Sequence, residues 1–104
     1  MIGGGAQVET LEFRYPASAP VPRRAHVGVV GSGDLEVLLE PSGAGEARVT
    51  IRTSVAGFGP AWRNVLDRFF ARFDGAAAIE INDFGATPGM VMLRLEQAVE
   101  ESRP

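Results

Sequence analysis

Between residues 8 and 15 apolar and polar side chains alternate: Leu11, Phe13 and Tyr15 fall on one side, Glu12 and Arg14 on the other. A period of two predicts a strand buried on one face. Residues 16–22 hold Pro16, Pro20 and Pro22, and a residue without an N–H cannot feed a central ladder, so this stretch reads as a surface connection that breaks regular structure. Residues 25–30 are short, apolar and partly β-branched, which predicts a second strand. Gly31-Ser32-Gly33-Asp34 reads as a turn. Leu35, Val37 and Leu39 then alternate with Glu36 and Glu40, a third strand returning as a hairpin. A further turn at 41–45 leads to a fourth strand. There Ala47, Val49 and Ile51 face inward, and Arg48, Thr50 and Arg52 stay in water because burying a guanidinium is costly.

After residue 60 the period changes. Trp62, Val65, Leu66, Phe69, Phe70 and Phe73 recur at helical spacing, with Arg63, Asp67, Arg68 and Arg72 on the opposite face. Pro60 suits the first turn, where its missing N–H costs nothing, and Asp74-Gly75 suits the exit. Burying each Phe contributes roughly 1.5–3 kcal/mol, so this helix should lie flat on the sheet. Residues 78–82 predict a fifth strand. Thr87 is a good N-cap and Pro88 a good first helical residue. Beyond them Val91, Leu95, Ala98 and Val99 fit a helix, although Val91, Leu93 and Leu95 also alternate as in a strand. The length of the segment and its Glu-rich end favour helix. The resulting order, β-β-β-β-α-β-α, is that of an α+β two-layer sandwich: a mainly antiparallel sheet of four to five strands with two helices on one face. Residues 8–104 read as a single domain, and residues 1–7, with Gly3, Gly4 and Gly5, as a flexible leader.

Composition narrows the chemistry. The chain has 104 residues and a net charge of −3, with ten Lys and Arg in all. No dense basic face is available to displace counterions, which argues against nucleic acid. The absence of cysteine rules out disulfides and thiolate metal sites and suits a reducing cytoplasm. A lone histidine, His26, leaves little for a metal cluster; it reads as a strand residue with a local hydrogen bond. No apolar run approaches the roughly 20 residues of a membrane span, and the N-terminus lacks the pattern of a signal peptide.

Two loops could carry chemistry. In Gly31-Ser32-Gly33-Asp34 the glycines remove side-chain cover, so the Ser32 hydroxyl can project to a modifying enzyme. Such turns are common, and the pattern alone favours a plain hairpin turn. A hydrolytic Ser32 would need a base and an oxyanion hole, and the spacing is not that of a nucleophile elbow. The second loop, 82–89, joins a strand to a helix. Its glycines and the amides at the helix start could cradle a phosphorylated group at Asp83, Gly85, Thr87 and Gly89; the plainer reading is a β-to-α loop with Asp83 bonding local backbone. Trp62 and the phenylalanines after it read as core rather than as an interaction stripe. Glu36 and Glu40 share a strand face without implying an acid–base pair.

Taken in order, residues 29–38 around Val30-Gly31-Ser32-Gly33-Asp34, then Thr53-Ser54-Val55, Ala61-Trp62, Asp83-Phe84-Gly85-Ala86-Thr87-Pro88-Gly89 and Arg94-Leu95-Glu96-Gln97 resemble the malonate decarboxylase delta subunit family, and more weakly the citrate lyase carrier subunit. The resemblance runs from about residue 8 onward. It implies an acyl carrier without catalysis of its own. The implied attachment point is Ser32, supported by Gly31, Gly33 and Asp34, with a phosphodiester to a phosphoribosyl dephospho-coenzyme A group derived from triphosphoribosyl-dephospho-CoA. It also implies partners: transferase, decarboxylase and malonyl-transacylase subunits, and a transferase that installs the group, all in a bacterial cytoplasm. Fatty-acid carriers, by contrast, are helical bundles with Asp-Ser-Leu at a helix start, and this chain has neither feature. The alternatives are an unmodified interaction subunit and, with less support, a small serine hydrolase.

Overall fold

The computed structural model describes residues 7–43 and 45–104. The expected leader therefore lies outside the described residues except for Gln7, whose side-chain amide donates to Asn82 Oδ1 at 3.2 Å. Six strands and two helices follow: β1 (Glu9–Pro16), β2 (Ala19–Pro20), β3 (Ala25–Gly28), β4 (Leu35–Pro41), β5 (Glu46–Thr53), α1 (Gly59–Phe70), β6 (Gly75–Asp83) and α2 (Pro88–Glu101). The sheet order is β1-β5-β6-β4-β3, with β2 paired to the start of β6. One face carries the core. Val37, Leu39, Val49, Ile51, Ile79 and Ile81 are at most 1% exposed and meet Leu66 and Leu95 from the helices. α1 packs over β1, and α2 over β3 and β4. The two-layer α+β expectation holds, with both helices on one side of a mostly antiparallel sheet.

The pairing explains the one parallel contact. β5 and β6 run parallel, Val49 opposite Ile79 and Ile51 opposite Ile81. Parallel neighbours need a crossover connection, and α1 supplies it. β6 thereby enters between β4 and β5, antiparallel to β4 from Leu35↔Asp83 to Pro41↔Ala77. Its backbone groups are paired on both sides, which suits the run from Ala76 to Ile81.

Four local expectations need correction. The proline-rich stretch ends β1 at Pro16 but is not wholly irregular: Ala19–Pro20 forms a two-residue pairing with Gly75 and Ala76. Asp74 makes this possible, since its carbonyl and carboxylate accept from the Ser18 and Ala19 amides and the Ser18 hydroxyl. Val21, 7% exposed, then anchors the segment in the core. The second strand ends at Gly28, not Val30, because Gly28 takes a φ of 83°. α1 ends at Phe70, although the Phe73 amide still reaches the Phe69 carbonyl at 3.1 Å. The fifth predicted strand begins three residues early, at Gly75, where a side chain would collide with Phe73 and Val21.

Tyr15 ties β1 to α1. Its hydroxyl donates to Asp67 Oδ1 at 2.7 Å and its ring stacks on Phe70 at 4.2 Å. Burial, with the adjacent Asp67 carboxylate, pushes its pKa up to about 12. The fold thus favours neutral Tyr15: the contribution is complete below the ordinary tyrosine value of about 10 and is lost as pH rises through the folded value. Because the chain has one tyrosine, an ultraviolet titration of the phenolate should show no inflection near pH 10 while the protein is folded. An ordinary midpoint there would show that the Tyr15–Asp67 contact does not persist in solution.

Candidate functional site

Ser32 sits at the tip of the loop joining β3 to β4. The Asp34 amide donates to the Gly31 carbonyl at 3.0 Å, and Gly33 has a φ of 77°. A positive φ at the third residue is what a type II turn requires, and glycine takes it without steric cost. Ser32 is exposed, and among the described residues its hydroxyl has no hydrogen-bond partner. An added side chain at Gly33 would meet nothing within 4 Å, and one at Gly31 only Val29 at 3.9 Å. The glycines therefore leave open space around the hydroxyl. Just before the turn, Val29 and Val30 are 60% and 59% exposed, an apolar shoulder beside it.

The turn is held from below. The Gly33 amide donates to the Phe84 carbonyl at 2.7 Å and the Phe84 amide to the Asp34 carbonyl at 2.9 Å, so the β4–β6 ladder continues past the strand ends into the turn. Asp34 adds a clamp to α2: Arg94 donates through Nη2 at 2.8 Å and Nε at 3.2 Å to its two carboxylate oxygens. The Leu35 amide donates to the same carboxylate at 2.7 Å, and Arg94 Nη1 donates to Gln97. These donors, Arg94 first, hold the Asp34 pKa below the usual carboxylate range. The brace is thus complete above the ordinary Asp value of about 3.9 and is lost only as pH falls through the lower native one.

Asp34 braces the turn through this contact, and Arg94, its partner, was legible only as part of a family-like stretch. Arg94→Ala should leave the fold intact and speed amide hydrogen exchange at Gly33 and Asp34 roughly tenfold, since a two-pronged charged contact is lost at one end of the turn. Arg94→Lys should recover only part of the protection, because an ammonium cannot make both prongs. Unchanged exchange in Arg94→Ala would leave the ladder contact to Phe84 as the sufficient brace.

The second candidate loop adjoins the first. Asp83, 3% exposed, accepts from the Thr53 hydroxyl at 2.8 Å and from the Gly85 and Ala86 amides at 3.3 and 3.0 Å. It therefore bonds local backbone, as its plainer reading had it. Thr87 caps α2, accepting from the Met90 amide at 3.2 Å, and Pro88 opens the helix. Gly85 (φ 94°) lies against the turn: a side chain there would come 4.0 Å from the Gly33 backbone. Thr87 and Gly89 are exposed beyond it. His26 is on the open face of the sheet, 2.7 Å from Glu36 Oε2, and Glu36 also accepts from Asn82 at 2.9 Å; this is the local hydrogen bond expected of it. Trp62 is 6% exposed and belongs to the core. Among the described residues no helix is long and apolar enough to cross a membrane.

Fold and site together define a small α+β domain that presents one bare serine on a turn braced against its own sheet and helix. The family model of the malonate decarboxylase delta subunit (MdcD) matches residues 22–102, and the chain belongs to that family. The malonate decarboxylase acyl carrier protein of Pseudomonas paraeruginosa is 57% identical over 96 residues, 91% of this chain and 97% of that protein. The corresponding protein of Azotobacter vinelandii is 55% identical over 95 residues, 90% of this chain and 96% of its own length. Among solved structures, a chain from the crystal structure of a Pseudomonas malonate decarboxylase hetero-tetramer in complex with malonate superimposes with a TM-score of 0.88 at 50% identity, covering 92% of this chain and all of that one.

Proposed function

We propose that this chain is the acyl carrier subunit of a malonate decarboxylase and that Ser32 is where its prosthetic arm is attached. The observation that carries this reading is the exposed, unpartnered Ser32 hydroxyl with open space at both flanking glycines. The arm is a phosphoribosyl dephospho-coenzyme A joined to the Ser32 oxygen by a phosphodiester, and its terminal thiol supplies the acyl chemistry. The residues present fit such a group: the hydroxyl is accessible, and no side chain stands over it. The chain's own part is to hold the turn still through Asp34, Arg94 and Phe84, and to leave Val29 and Val30 as apolar surface for a partner closing on the serine. It is a carrier rather than a catalyst, working in the cytoplasm with the transferase, decarboxylase and malonyl-transacylase subunits after a dedicated transferase has installed the arm. The loop of Asp83, Gly85, Thr87 and Gly89 would contact the arm near its root, a reading supported by the approach of Gly85 to Gly33.

Intact mass of the chain purified from cells expressing the whole complex, with peptide mapping across residues 25–40, tests this. The expected result is one added mass equal to the arm, on Ser32. An unmodified chain in a complex that still decarboxylates malonate would overturn the carrier reading in favour of an interaction subunit.

A further inference from the structure

Bordered by Gly85, a cleft of about 270 Å³ opens where β5 and β6 run out beneath the N-terminal ends of α1 and α2. Val55, Phe58, Trp62 and Ala86 form much of its wall, and Thr53 and Asp83 are its polar side chains. These two are occupied with one another and with local backbone, since Thr53 donates to Asp83 and Asp83 accepts from Gly85 and Ala86. Most of the remaining wall is apolar. The lip is apolar as well: Phe58 is 53% and Val55 37% exposed. Among the described residues no arginine or histidine lines the cleft.

The cleft and the serine turn share a wall. Gly85 lines the cleft, and its Cβ position is 4.0 Å from the backbone of Gly33, the residue after Ser32. A group tethered at Ser32 therefore meets the cleft at high effective concentration. The volume falls just below the roughly 300–1,000 Å³ of sites that enclose whole small molecules, so the cleft suits the end of a chain rather than a nucleotide. Charge decides which end. A neutral thiol or acetyl thioester loses little on entering apolar walls. A malonyl tip would bring an ionised carboxylate beside the Asp83 carboxyl and against mostly apolar walls, a cost that the neutral tips avoid and that the helix N-termini at the cleft offset only in part.

We propose that this cleft is the resting seat of the neutral tip of the arm, and that it holds the thiol and acetyl forms in preference to the malonyl form. The inference rests on the carrier reading of Ser32. In this arrangement the tip is shielded until it gains a carboxylate, and the charged tip is then more often outside for a partner subunit to take.

The composition of the chain makes the test direct. With no cysteine of its own, the arm-bearing protein has a single thiol, and its rate of reaction with an aromatic disulfide reagent can be compared with that of free coenzyme A. A tip seated about 90% of the time should react roughly tenfold more slowly, in proportion to the open fraction. Ala86→Leu, which narrows the cleft, should restore the free rate; if that variant fails to fold, Val55→Asp at the exposed lip should do the same. Trp62 is the sole tryptophan, so its emission should change more between the unmodified and acetyl-bearing chains than between the unmodified and malonyl-bearing ones. A chain whose mass shows the arm on Ser32 but whose thiol reacts like free coenzyme A would overturn the seat and leave the carrier reading standing. Equal Trp62 emission from acetyl and malonyl forms would overturn the selection by charge. Absence of any arm mass on Ser32 would instead overturn the carrier reading on which the seat depends.

Discussion

Ser32→Ala is expected to abolish attachment of the arm while leaving the domain folded. A phosphodiester needs the serine oxygen, and no neighbouring hydroxyl occupies the tip of the turn. The fold, by contrast, makes no use of that oxygen: the side chain is exposed, and among the described residues it has no partner. An exposed substitution of this kind changes stability by no more than about 0.5 kcal/mol. The turn itself is made by the Asp34 amide, the Gly33 conformation and the Phe84 contacts, and alanine disturbs none of these. Mass measurement should find the variant unmodified, thermal unfolding should match the parent, and a complex assembled with it should lose malonate decarboxylation altogether. A variant still bearing the arm would place the attachment elsewhere, and full activity without the arm would show that the chain serves only as an interaction subunit.

Gly28→Ala should be among the most destabilising single-methyl additions in the chain. Gly28 ends β3 with a φ of 83°, and an added Cβ would lie 2.1 Å from the Leu35 carbonyl oxygen. That carbonyl cannot retreat freely, because Leu35 is fully buried and pairs with Asp83 in the central ladder. Left-handed strain and overpacking each cost of the order of 1–3 kcal/mol, so a loss of about 3 kcal/mol is expected in urea unfolding. Gly33→Ala is the informative control: its φ is 77°, but a Cβ there meets nothing within 4 Å, so only about 1–2 kcal/mol of backbone strain should remain. Similar losses for the two variants would mean that the close approach of Gly28 to β4 relaxes in solution. The consequence reaches the site, since the crossing of backbone at Gly28 sets where the six residues from Val29 to Asp34 leave the sheet.

Much of this was readable from the chain. Alternation in residues 8–15, 35–40 and 47–52 identified the strands and the face each one buries, and the run from Trp62 to Phe69 identified α1. Thr87 and Pro88 marked the start of α2 because capping chemistry is local. The serine turn was legible for the same reason: two glycines around a serine are a statement about space that needs no knowledge of neighbours. Local reading failed where a distant partner decided the outcome. The prolines at 16–22 argued against a ladder, yet Asp74 supplies acceptors for Ser18 and Ala19 and a short pairing forms there. Val29 and Val30 look like strand residues, but the conformation of Gly28 turns them out into water.

The amino-acid sequence by itself determined which residues pair with water and which with the core, because period and polarity act within a few residues. It likewise determined the bare serine and the capped helix beyond the second loop. Only the tertiary structure decided that β6 inserts between β4 and β5, since α1 must carry the chain over the sheet before a strand parallel to β5 can form. That insertion brings the Asp83–Gly85 segment under the Ser32 turn, and the packing of α2 over β4 brings Arg94 to Asp34, 60 residues away. Neither contact has a local signature, because each depends on where a whole element settles when its apolar face is buried.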